Sequence, residues 1–119
     1  MAGEGLKYDT DKLRWDLLQY DCIEDIVKIL SFGANKYGQD NWKDVEPFED
    51  RYFAALMRHI VAFRNGEHID PESGLSHLAH AACNIMFLWW YIMCTEYKRQ
   101  SSCFIISQIW FINWFTNCK

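Results

Sequence analysis

The chain has no run of basic residues, no Cys-x-x-Cys pair, no internal repeat and only two prolines. With 16 acidic against 12 basic residues and a formal net charge of −4, it offers no general surface for duplex nucleic acid. Its five cysteines, Cys22, Cys83, Cys94, Cys103 and Cys118, are odd in number and lack the spacing of a disulfide framework, which predicts a reducing, cytoplasmic setting. The opening MAGEGLKYDTDKLRWD is charged and has no apolar centre, so neither a signal peptide nor an anchor is expected. Acid is nearly absent after Glu72, where only Glu96 remains. The last part of the chain is apolar instead. Its two runs, IMFLWWYIMC and FIISQIWFINWF, each fall short of the roughly twenty residues of a membrane span. Burial in an oligomer is expected for them, ahead of a hairpin lying on a membrane.

Half of the 119 residues are hydrophobic and 17% are aromatic, enough for one domain with a core and against disorder. The apolar positions recur at helical spacing, which predicts an all-α fold. Gly5 to Leu18 lacks a period and reads as an arm that tucks Leu6, Trp15 and Leu17 against the core. From Cys22 to Tyr37 the residues Ile23, Ile26, Val27, Leu30, Ala34 and Tyr37 mark a first helix, with Asp21 as N-cap, a Glu24–Lys28 pair and a left-handed cap near Gly38. A second helix is expected from about Asp50 to Arg64, with Phe53, Leu56, Met57, Ile60 and Phe63 on one side and Asn65-Gly66 as its stop. A third begins near Ser76. One of its stripes is Leu78, Ala82, Ile85, Trp89 and Ile92; another is His77, His80, Asn84 and Leu88. A polar break, TEYKRQSS, separates it from the C-terminal apolar segment. The predicted architecture is a compact bundle of three core helices plus an apolar C-terminal helix, with residues 1–100 as the domain, 101–119 as a divergent tail, and a homo-oligomer as the assembly.

The segment RHIVAFRNGEHIDPESGLSHLAHAACN, from Arg58 to Asn84, holds all four histidines. His59 sits at the edge of the second helix's apolar face. His77 and His80, three apart, share one face of the third. Glu67, Asp70 and Glu72 lie in the turn between them. Imidazoles beside carboxylates predict a divalent metal site, Mg²⁺ or Mn²⁺, built from His59, Glu67, Asp70, His77 and His80. His59, Glu67 and Glu72 are the candidates for handling protons. Capping is the ordinary alternative for Asp70 before Pro71 and for Glu72 or Ser73 ahead of the third helix. Lys36, Arg58 and Arg64 are the cations nearest this region. Tyr37 and Trp42 are candidates for stacking on a base, although a loop tryptophan more often plugs a core.

The runs GLKYDTDKLRWDLL, ILSFGANKYGQDNW and RYFAALMRHIVAFRNGEHIDPESGLSHLAHAACN resemble the phage-associated dATP/dGTP diphosphohydrolase N-terminal family over roughly Gly5 to Leu88. The pattern RH…GExxDxESGxxHLxHAxxN carries the likeness. Such proteins are similar in layout to the MazG-like all-α nucleotide pyrophosphohydrolases, whose metal ligands are carboxylates in EExxE and ExxD. This chain has no EExxE; His59, His77 and His80 stand in comparable places. The resemblance implies metal-dependent hydrolysis of dATP or dGTP to monophosphate and pyrophosphate, in remodelling of a phage-infected cell's nucleotide pool. It also implies that Lys36, Tyr37, Asn41, Trp42 and Arg58 meet the nucleotide. A non-catalytic nucleotide-binding subunit and a structural oligomer with buried histidines are the competing classes. Metal content is the cheapest discriminator, because a structural bundle should bind none, whereas a binding subunit is marked by nucleotide binding without product.

Overall fold

A computed structural model describes residues 3 and 5–101; the tail segment expected to form a further helix lies outside them. Three α-helices, and no strand among the described residues, account for the regular structure: α1 (Tyr20–Tyr37), α2 (Phe48–Arg64) and α3 (His77–Ser101). The boundaries follow local chemistry. Gln19, not Asp21, takes the extended backbone at the N-cap of α1, and Asp21 falls in the first turn, where a negative charge meets the positive helix end. Gly38 ends α1 with φ 96° and ψ 151°, a conformation essentially confined to glycine and distinct from the expected left-handed cap. Its N–H donates to the Ala34 carbonyl at 2.9 Å. Pro47, with φ −69°, leads directly into α2, so the helix starts at Phe48 rather than Asp50. At its far end Gly66 N–H donates to Phe63 (3.0 Å) and Glu67 N–H to Ala62 (3.0 Å), the paired bonds of a Schellman stop.

Helix α3 runs through the expected polar break to Ser101. Nothing in TEYKRQ breaks a helix: Glu, Lys, Arg and Gln are good formers, and the Thr95 hydroxyl is satisfied by the Tyr91 carbonyl at 3.0 Å. Over His77–Lys98, 22 residues with mean hydropathy 1.3, α3 is long and apolar enough to cross a membrane by length and composition. Counting His77 to Asn84, which hold no Asp, Glu, Lys or Arg, as part of the same helix corrects the shorter apolar run read from sequence.

Helix α3 packs mainly on α2 and more lightly on α1. The core is small and aromatic. Ile29, Phe48, Cys83 and Phe87 are buried, with Ile26, Leu30, Trp42, Tyr52, Trp90 and Tyr91 packed around them. Trp42 stacks on Phe87 (centroids 4.1 Å apart, 16° between planes) and meets Trp90 edge-on at 4.8 Å. Phe48 stacks on Tyr91 at 4.5 Å. A tryptophan from a loop therefore joins the helices, the plug role expected of such a residue.

The apolar stripes read from sequence turn inward only in part: Ile26 and Leu30 of α1 pack against the core, and Leu56, Ile60 and Phe63 of α2 are half-buried. On α2 the inward side includes Phe48, Tyr52 and His59, whereas Phe53, Met57 and Val61 are exposed. On α3 it includes His77, Ala81, Asn84 and Phe87, whereas Leu78, Ile85, Trp89 and Ile92 are exposed. On α1 Ile29 is buried and Ile23 and Val27 are exposed. The expectation that the apolar second half of α3 is enclosed is thus met on one side only. The arm does not tuck either, because Leu6, Trp15 and Leu17 are all exposed. Local polar bonds shape it instead: a bidentate Arg14–Asp16 pair, Lys7 and Lys12 on Asp9, and the Tyr20 hydroxyl donating to the Trp15 carbonyl.

Candidate metal centre and cleft

Between α2 and α3 the chain reverses in a tightly bonded turn. Asp70 N–H donates to the Leu75 carbonyl (2.8 Å), Gly74 N–H to the Asp70 carbonyl (2.8 Å), and His77 N–H to the His68 carbonyl (2.9 Å). Gly66 and Gly74 supply the positive φ values, 92° and 71°, that so short a reversal needs. Asp70 Oδ2 accepts both the Ser73 N–H (2.9 Å) and the Ser73 hydroxyl (2.8 Å), so Asp70 does cap its own turn. Ser76 caps α3 by accepting Leu78 N–H at 3.2 Å. Neither Glu72 nor Ser73 is spent on that helix end.

This turn brings three of the four histidines together. His59 Nδ1 lies 2.8 Å from His77 Nδ1, and the His59 ring stacks on His80 with centroids 4.4 Å apart and planes within 7°. His80 Nε2 lies 2.7 Å from Ser73 Oγ and 3.7 Å from Asp70 Oδ2. His59, Asp70 and His77 each offer a ligand atom, all within 4.8 Å of one another, so this trio could hold a metal ion. Glu67 stands beside it, with Oε1 3.5 Å from His77 Nε2. His80 joins through stacking and Ser73 rather than as a member of the trio. His68 packs edge-on against Phe63 at 5.4 Å.

The donor chemistry fits a cation. His77 is 5% exposed, and its Nε2 is buried with no hydrogen-bond partner, the Glu67 contact being too long to satisfy it. Between the two Nδ1 atoms at most one proton can sit. Imidazole nitrogens bound side by side on one metal at about 2.1 Å stand about 3 Å apart, near the spacing observed. Burial holds the His59 and His80 imidazoles below the ordinary histidine value; neighbouring rings add to this and Asp70 opposes it. Neutral rings are the ligand form. Burial pushes the Asp70 carboxyl up, but the Ser73 amide and hydroxyl bonds, helped by His80 and His59, outweigh it and leave the group below the usual carboxylate range.

The cluster opens into a cleft of about 970 Å³, a size suited to a small ligand. Lys36, Tyr37, Asn41, Trp42, Arg58, His59, Asp70, Glu72 and His80 line it, all of them candidates from the sequence. Glu67 and His77 are not among the lining residues. Lys36 of α1 forms an ion pair with Glu72 across the cleft, and that bond raises the lysine's pKa. Trp42 has one ring face committed to Phe87, while Tyr37 is exposed with Lys36 Nζ 5.0 Å from its ring centre. Arg64, at the end of α2, is exposed and outside the cleft lining. Arg51 and Asn84 also line the cleft; Asn84 is read from sequence only as part of the His77–His80 stripe, and Arg51 is not singled out. Their helical phase was the available signal: Arg51 is two turns before Arg58, and Asn84 one turn after His80.

A family described as dATP/dGTP diphosphohydrolase, N-terminal, matches residues 2–101. A dATP/dGTP diphosphohydrolase of Salmonella phage PMBT28 is 34% identical over 86 residues, covering 72% of this chain and 29% of that protein. The chain thus spans less than a third of that relative's length. No solved structure matches it. The match over residues 2–101 means that the chain belongs to the dATP/dGTP diphosphohydrolase N-terminal family.

Proposed function

We propose that the chain hydrolyses a purine deoxynucleoside triphosphate, dATP or dGTP, to its monophosphate and pyrophosphate at the His59–Asp70–His77 cluster. The observation that carries this reading is the His59–Asp70–His77 ligand set, with its buried unpartnered His77 Nε2, beside a nucleotide-sized cleft. The lining adds a charge argument. Lys36, Arg51 and Arg58 are outnumbered there by Asp40, Asp44, Glu46, Asp70 and Glu72. A triphosphate entering such a cleft needs a cation as its counter-charge. The mixed imidazole and carboxylate donors suit Mn²⁺ or another transition ion better than Mg²⁺, which favours oxygen. When bound, the ion neutralises phosphate charge and lowers the pKa of water.

The protein's own groups do the rest. Arg58, on the helix that carries His59, supplies a fixed charge toward the phosphates, and Lys36 joins it once released from Glu72. Glu67 supports the cluster through His77, and Glu72 is the open carboxylate at the cleft edge. Tyr37 offers an exposed ring to the base once Lys36 moves off it, with Asn41 on the same cleft for polar contact. Pool remodelling in the infected cell's cytoplasm follows from the chemistry of substrate and relative. The acidic lining favours a small metal-neutralised nucleotide over duplex nucleic acid.

Self-association belongs to the same reading. Leu78, Ala82, Ile85, Trp89 and Ile92 repeat at alternating spacings of four and three along α3, the seam by which one helix packs against its like. Leu78, Ile85, Trp89 and Ile92 are exposed, and no charge interrupts the helix before Glu96. A second copy covers that seam, and α3 serves as a core helix rather than a membrane span.

The test is nucleotide hydrolysis with purified protein and Mn²⁺ or Mg²⁺, alongside calorimetric Mn²⁺ titration. Pyrophosphate release and metal binding, both lost in His59→Ala/His77→Ala, are expected. Nucleotide binding without product, unchanged in that variant, would instead mean a non-catalytic nucleotide-binding subunit.

A further inference from the structure

The least expected participant is Ser73. Its hydroxyl has three neighbours: Asp70 Oδ2 at 2.8 Å, His80 Nε2 at 2.7 Å and the Leu75 N–H at 3.2 Å. A hydroxyl owns one proton and two lone pairs. Leu75 N–H can only donate, so it takes one lone pair. An ionised carboxylate can only accept, so Asp70 takes the proton; otherwise two acceptor oxygens would face each other at 2.8 Å. One lone pair remains for His80, whose Nε2 must therefore carry a hydrogen. All three valences of the hydroxyl are then used. His80 is left with Nδ1 as its bare nitrogen.

We propose that Ser73 is a positioning residue that holds the two sides of the cluster in one arrangement, fixing His80 as the Nε2–H tautomer and anchoring Asp70 beside His59 and His77. The geometry is more than a turn cap requires. The Ser73 amide already donates to Asp70, and capping alone leaves the hydroxyl free to face solvent. Here it reaches α3 instead, seven residues on, at a distance typical of a strong bond. The partly enclosed site makes that choice costly to reverse, since the side chains of Asp70 and His80 are 17% and 13% exposed.

The role of Asp70 in metal binding rests on the function proposed above, whereas the tautomer does not. Nitrogen-15 NMR of the metal-free, full-length protein reads the His80 ring directly. The expected result is a protonated Nε2 and a bare Nδ1, and a protonated Nδ1 with bare Nε2 would overturn the proposal without any variant being made. Ser73→Ala is expected to abolish the single tautomer and weaken Mn²⁺ binding by about 10–100-fold, the usual effect of losing a group that orients a ligand. Ser73→Thr keeps the hydroxyl and is expected to restore both. Unchanged tautomer and Mn²⁺ affinity in folded Ser73→Ala would overturn the lock. Wild-type protein with the expected tautomer but no affinity for Mn²⁺ would support the lock and sink the metal-dependent reading.

Discussion

His59 and His80 are neutral rings stacked face to face, and their protonation is opposed by burial first and then by neighbouring histidines, His80 and His77 for His59 and His77 for His80. Their folded pKa values lie below the ordinary histidine value of about 6.5. Below that pH the unfolded chain binds protons more readily than the folded one, so stability falls as pH falls; above it the contribution is fully present. Asp70 acts at lower pH: its carboxyl is held below the usual carboxylate range, a stabilisation present above that range and lost as pH falls through the folded value. The two effects occupy separate windows. In EDTA, Tm is expected to drop between pH 7.5 and 5.5, and His59→Gln/His80→Gln is expected to flatten that drop. An unchanged slope in the double variant would place the pH dependence elsewhere.

At the scale of elements, the aromatic contacts that join the loop tryptophan and α2 to α3 hold the cleft open at a defined width. Phe48, at 2% exposure, is the most enclosed of these side chains. Phe48→Ala is expected to cost about 3–5 kcal/mol in urea unfolding of the metal-free protein, as large-to-small changes in a core do. A cost under about 1 kcal/mol would show that the helices are not held this way. Much of this was legible in sequence. The helix periods, Asn65-Gly66 and the i,i+3 histidines located the elements and the reversal that gathers His59, Asp70 and His77. What was not legible was helix rotation. Each helix has apolar residues on more than one side, and periodicity within one chain cannot say which side its own neighbours cover. Ser73 was hidden for a related reason: its sequence context reads as capping, and only the fold brings His80 to its hydroxyl.

For the whole molecule, the consequence of those rotations is a small core beneath broad apolar surface. Ile29, Phe48, Ala81, Cys83 and Phe87 are the buried apolar residues among those described, while Trp89 remains 65% exposed. Sedimentation of wild-type protein is expected to give a dimer or larger species, and Ile85→Glu/Trp89→Glu a smaller one with unchanged helical circular dichroism. A wild-type monomer would contradict the α3 seam. The cluster and cleft meet their most direct test in product analysis. With Mn²⁺ and dATP or dGTP, wild-type protein is expected to yield deoxynucleoside monophosphate and pyrophosphate in equal amounts, and His59→Ala/His77→Ala neither. Release of inorganic phosphate with a diphosphate, or equal pyrophosphate release by the double variant, would contradict the assignment of this chemistry to His59, Asp70 and His77.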